Sequence, residues 1–199
     1  MQKSFYLLLI IAHVLLAISF QSNFPFWTVF PLSFLVLTIA ATILGTYDWK
    51  KSSALTILLG IFSGLFMYAL FFIGKIISGY IFPDQLTEVV KLYSKIKPVT
   101  SWNFILLFLI IIPGEELFWR GFIQKKLSHV LHNKNWLIIV SALLYTSANI
   151  YTGSPLFLLA TFMGGIVWGA LYLWKQNIGI VILSHLVFNL FLLVLFPIF

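Results

Sequence analysis

The chain has 199 residues and only five acidic ones. Two of these, Glu115 and Glu116, are adjacent inside a long apolar run. A charge at that depth costs on the order of a few kcal/mol on membrane-insertion scales, so two side by side need a reason. On a helix, Glu116 and Arg120 are four residues apart and share a face, which lets them pair. Glu115 is turned about 100° away from Glu116. It is the less neutralised of the two and the better placed to exchange a proton as a general base or acid. Pro113-Gly114 just upstream can kink or loosen the helix and admit water or a substrate backbone. The structural alternative is a buried staple of Glu116 with Arg120, leaving Glu115 in interfacial water. A staple needs only one glutamate, which favours chemistry.

Two further polar pairs repeat the four-residue spacing in other apolar runs. His185 and Asn189 share a face, with Ser184 just before the histidine, and Tyr145 and Asn149 bracket Thr146 and Ser147. A lone histidine on an apolar helix is usually a hydrogen-bonded packing residue; an asparagine on the same face and acids on another helix argue for a site. At about 1.5 Å per residue, Glu115 and His185 each lie roughly 10 Å in from one end of their helices. Asn149 counts to about 20 Å from that same side, so a plain interhelical contact is the competing reading there. His129 and His132 fall in a basic loop and read as solvated. His13 lies in the first apolar run with no acidic neighbour that can be placed.

These residues must be carried by membrane helices. The chain is 61% hydrophobic and 9% charged, against about 25% charged for an ordinary soluble domain. Too few polar side chains exist to cover a water-facing surface. Runs near the roughly 17–25 residues needed to span a bilayer occur at about 5–20, 27–44, 54–73, 102–122, 136–150, 156–174 and 178–196. The fifth is short, and the third can run on to Phe82. The expected fold is all-α, a polytopic transmembrane bundle of about seven helices. It forms one integral membrane domain, with N-terminal helices over 1–101 and a core carrying the polar pairs over 102–199. Leu86, Val89, Val90 and Tyr93 in the longest polar connection suggest an amphipathic helix at the membrane surface. Gly60 with Gly64, and Gly165 with Gly169, read as close helix–helix packing.

The net charge of +7 sits in short loops, so topology explains it better than nucleic acid does. Lysines at 3, 50, 51, 125, 126, 134 and 175 fall on one side and those at 91, 95 and 97 on the other. This predicts a cytoplasmic N-terminus and an external C-terminus. Ala17-Ile-Ser19 resembles a signal-peptide cleavage site; cleavage would leave six helices in the same orientation. Cysteine is absent, which removes disulfides and thiolate metal sites.

Glu115-Glu116-Leu117-Phe118-Trp119-Arg120, then Tyr145-Thr146-Ser147-Ala148-Asn149, then His185-Leu186-Val187-Phe188-Asn189 resembles the pattern of the CAAX-protease and bacteriocin-processing family (CPBP, or Abi), including its lysostaphin resistance protein A-like domain. The similarity covers roughly Trp102 to the C-terminus. It implies a helical membrane bundle around a conical cavity open to the cytosolic side. It also implies that Glu115 activates a water for attack on a peptide bond, while His185 and Asn189 stabilise the oxyanion. The family usually has histidine where this chain has Asn149. Asparagine holds a water but exchanges no proton near neutral pH. Three readings follow: Glu115 as sole base with Asn149 as orienter, His185 taking over, or a catalytically weak relative. The family is also described as metalloproteases, but two Glu, one His and two Asn make a poor zinc site and no His-Glu-x-x-His motif is present. A metal-free glutamate mechanism with no cofactor is expected.

The resulting expectation is an intramembrane endopeptidase in a bacterial plasma membrane. Its partners are membrane lipid and a peptide or lipidated-protein substrate, without nucleic acid. The competing reading is a non-enzymatic relative acting in bacteriocin immunity, resistance or partner binding. A proton-coupled transporter is disfavoured because the halves show no repeat.

Overall fold

In lipid every backbone polar group must be satisfied within the segment or by close neighbours, and the helix does this locally. Residues 2–198 are described by the computed structural model, and they form eight helices and no strand. Polar residues set several of the starts. The side chains of Ser53, Thr100, Asn133, Ser154 and Asn177 each accept a bond from an otherwise unpaired amide of the following first turn. The helices are α1 (Gln2–Gln21), α2 (Phe26–Leu44), α3 (Ala54–Ile81), α4 (Pro83–Ile96), α5 (Ser101–Leu127), α6 (Lys134–Ser147), α7 (Pro155–Lys175) and α8 (Ile178–Leu195).

Six of them are long and apolar enough to cross a membrane: α1, α2, α3, α5, α7 and α8. The expected seventh, α6, has 14 residues, or about 21 Å, short of a hydrocarbon core of about 30 Å. Its apolar run reaches Ile150, but the helix ends at Ser147. A tight turn follows at Ile150–Thr152, then Gly153 at φ 70°, where glycine avoids the Cβ clash. The helix α3 runs on to Ile81, the longer of its two expected extents.

Three pairs build the bundle: α1 with α2 and α6 with α7 run antiparallel, whereas α3 and α8 run parallel, Gly60 meeting Ile180 near their starts and Lys75 donating to the Ile198 carbonyl near their ends. The helix α5 threads between them and touches α2, α6, α7 and α8. On α1, Leu8, Ala12, Leu16 and Phe20 are buried at four-residue spacing, while Leu7, Ile10 and Val14 are exposed. The buried stripe meets α2; the exposed one suits acyl chains. Packed this way, the first run is part of the bundle core. One buried cluster joins α1, α2, α5 and α6, and a second joins α3, α7 and α8. The polar pairs lie where the two clusters meet.

The glycine pairs behave as packing contacts. A Cβ on Gly64 would lie 2.5 Å from the Ser184 carbonyl, and one on Gly60 would lie 3.2 Å from Ile180. Both therefore admit α8 against α3. Gly165 admits Ala142 of α6, whose Cβ would be 2.8 Å away.

One end of the bundle is tied by the 45–53 loop. Lys125 Nζ and Tyr172 Oη both donate to Asp48 Oδ2, at 2.9 and 3.1 Å. The Ile178 amide donates to the Asp48 carbonyl, and Asn177 Nδ2 to the Lys50 carbonyl. Burial alone raises the Asp48 pKa, but the two donors outweigh it and hold the carboxyl below its ordinary value.

The other end is roofed by α4. Leu86, Val89, Leu92, Tyr93 and Ile96 turn inward, whereas Val90, expected on that face, is 44% exposed. A spacing of three and four from Leu86 selects the first set, and Val90 falls on the far side of Val89. Lys95 Nζ donates to the Phe20 carbonyl and Trp27 Nε1 to the Lys97 carbonyl, tethering the roof to the α1–α2 turn.

Candidate active site

Proline at 113 lacks the amide that continues an α-helical ladder. The helix α5 responds by widening into π turns at Leu107–Ile111 and Leu117–Gln124, on both sides of Ile112–Glu116. Such turns re-aim side chains. Gly114 lets this stretch press on α2: a Cβ there would sit 2.5 Å from Thr38 Oγ1.

The two glutamates part company as their helical rotation requires. Glu116 is fully buried. Arg120 approaches both its oxygens, Nη1 to Oε1 and Nε to Oε2, each at 3.3 Å. His185 Nδ1 lies 2.7 Å from Glu116 Oε1. An ionised carboxylate only accepts, so Nδ1 carries the hydrogen and donates. Glu115 instead lines a cavity of about 490 Å³. Its Oε2 is 3.8 Å from His185 Nε2. The imidazole therefore stands between the two acids, with Nδ1 bonded to one and Nε2 turned toward the other.

The cavity also brings together Tyr145, Asn149, Trp168 and Asn189. Its floor is at mid-bundle, and its walls rise past Phe30, Phe71 and Leu156 to α4. That extent resolves the depth difference noted for Asn149, because one cavity spans both levels. Asn149 Nδ2 donates to the Tyr145 carbonyl at 3.0 Å, and Asn189 Nδ2 to the His185 carbonyl at 3.3 Å. Each amide retains a second N–H and its oxygen. Thus Glu115, Glu116, Arg120, His185, Asn149 and Asn189 all come to the cavity or its immediate wall.

Trp168, Ser63 and Gly164 support the site although the polar spacing did not single them out. Trp168 stacks on His185, with ring centroids 3.8 Å apart and planes at 20°. Its Nε1 donates to Ser184 Oγ, which donates on to Ser63 of α3. Arg120 is covered by the Tyr145 ring at 4.7 Å, and its Nη2 donates to the Gly164 carbonyl. The relevant clue was a tryptophan amid small residues on α7, but nothing in one chain says which ring it will meet. His129 and His132 are exposed, as their loop position implied. His13 instead meets Ser147 and Tyr151.

The donors suit zinc poorly. Glu116 is committed to Arg120 and to His185 Nδ1. Among the described residues, only Glu115 and His185 Nε2 remain as strong ligands toward the cavity, where a catalytic zinc takes three.

The fold is that of a polytopic helical membrane protein with a buried Glu–His–Asn cluster lining its cavity. Residues 97–191 match a family model described as Type II CAAX prenyl endopeptidase Rce1-like. Over that stretch, just under half of its length, the chain is similar to the CPBP (Abi) family of CAAX-type proteases. No curated protein and no solved structure matches.

Proposed function

We propose that the protein is an intramembrane endopeptidase in which Glu115 activates water against a peptide bond of a membrane-associated or lipidated peptide. The observation that carries this is the division of labour between the acids. Glu116 is neutralised by Arg120 and His185, while Glu115 faces an apolar cavity 3.8 Å from His185 Nε2. A water beside both atoms gives its proton to Glu115 as its oxygen attacks the carbonyl carbon. The carbon–nitrogen bond then breaks, and Glu115 returns the proton to the leaving amine. Asn189 and Asn149 supply donors for the oxyanion, each worth about 3 kcal/mol when well placed, and His185 Nε2 helps to hold the water beside Glu115. Glu116 accepts from Nδ1 and so fixes the ring with Nε2 toward Glu115. The apolar walls suit a substrate anchored in the bilayer, and the charge-poor exterior fits an integral membrane location.

The test is turnover of two quenched fluorescent peptides, one with an S-farnesyl cysteine near its C-terminus and one a plain transmembrane segment. Wild type should cleave at least one of them, and Glu115→Gln should not. A second reading rests on Asn149, which stands where the family usually has histidine: a catalytically weak relative that binds a peptide or partner, for instance in immunity. Saturable binding of either peptide by wild type and by Glu115→Gln alike, without cleavage by either, would favour it.

A further inference from the structure

The helix α6 ends two residues before Asn149, and helix ends fray unless something holds them. Asn149 is nevertheless 4% exposed and sits in the cavity wall. Its own backbone explains part of this: its amide donates to the Thr146 carbonyl, and its carbonyl accepts from the Thr152 amide and Oγ1. These bonds close the turn on itself but fix it to nothing else.

The external anchor is a residue outside the motifs. The His13 ring on α1 lies between Ser147 Oγ, 3.3 Å from Nε2, and Tyr151 Oη, 3.2 Å from Nδ1. Those two residues flank Asn149 at equal distance along the chain. The proton inventory selects one arrangement. Ser147 Oγ already donates to the Leu144 carbonyl at 2.8 Å, so toward His13 it accepts, and Nε2 carries the hydrogen. Nδ1 is then the acceptor for Tyr151 Oη. Neutral imidazole satisfies both partners with no group left over. Ala12 and Leu16, fully buried beside it, lock that face of α1 onto the bundle.

We infer that His13 is a positioning residue of the candidate site: by bridging Ser147 and Tyr151 it holds the α6–α7 turn and thereby Asn149 at the cavity wall. The catalytic part of this rests on the endopeptidase reading; the structural part does not. The substitutions are His13→Leu, which keeps bulk and suits the membrane, and His13→Gln, which offers one donor and one acceptor.

Hydrogen exchange in detergent should speed up about tenfold across 148–153 in His13→Leu. Exchange in α8 should not change, and His13→Gln should restore most of the protection. On the cleaved peptide, His13→Leu should lower kcat with KM unchanged, again with rescue by His13→Gln. A global packing defect would instead speed exchange in every helix and escape rescue by glutamine, overturning the inference. So would unchanged exchange in His13→Leu, or faster exchange without a loss of kcat. Should Glu115→Gln cleave as well as wild type, the peptidase reading falls, and the exchange pattern decides the role of His13 by itself.

Discussion

Glu115 and Glu116 are neighbours with opposite surroundings, and they should fail differently when changed. Glu115→Gln keeps size and hydrogen bonding but removes the basic oxygen. Turnover should vanish while thermal stability in detergent stays near wild type. Glu116→Gln leaves Arg120 buried at 2% exposure without its counter-charge, a loss that typically costs about 3–5 kcal/mol. It also replaces the charged acceptor that orients His185 with a weaker amide oxygen. Yield of folded protein and activity should fall together, and melting curves beside turnover will separate the two cases. Asn149 supports a second expectation at this scale. Asn149→His places a titratable ring in the same wall of the cavity and restores the usual family residue. Peptide turnover should be unchanged or higher; a tenfold fall would mean that an asparagine amide is required at that point.

Among the elements, the close approach of α3 and α8 sets His185 in place. Gly64 meets the backbone of Ser184, the residue before His185, and a Cβ would come within 2.8 Å of Val187 as well. Backbone cannot yield as a flexible side chain can. Gly64→Leu should therefore part the helices, break the Trp168–Ser184–Ser63 chain, and cost about 1–3 kcal/mol from overpacking. The readouts are a lower melting temperature and a kcat loss beyond that of Gly79→Leu, an exposed site on the same helix where a Cβ makes only an ordinary contact, 3.6 Å from Leu86. Equal effects at the two positions would remove the case for this contact. The helix α5 shows why spacing alone described its site well. Proline, glycine and the two flanking wide turns act within a few residues, and the side-chain rotation of neighbouring glutamates survives them.

For the whole molecule, lysine-bearing loops lie at one end and α4 with the cavity roof at the other. We propose the orientation that loop charge favours, with the N-terminus and the 128–133 loop inside. It places the cavity roof outside, opposite to the cytosolic opening that the family resemblance implies. The chain has no cysteine, so single substitutions report cleanly. In intact cells, Thr87→Cys on α4 should react with a membrane-impermeant maleimide and Ser128→Cys should not. The reverse pattern would invert the orientation and give the cavity a cytosolic mouth.

The sequence by itself determined the solvent, the helical class, most of the spans and the residues of the candidate site. Those properties follow from composition and from local spacing: apolar length decides what crosses a bilayer, and a four-residue repeat decides which polar groups share a face. Glu116 with Arg120 was readable for that reason. What only the tertiary structure decided came from contacts between distant segments. That α6 stops at Ser147, that α4 roofs a cavity, that Trp168 stacks on His185 and that His13 grips the turn beside Asn149 each depend on which helix packs against which. Helix faces chosen by packing leave no periodic mark in one chain, since a tryptophan against lipid and one against a histidine read alike until the bundle closes.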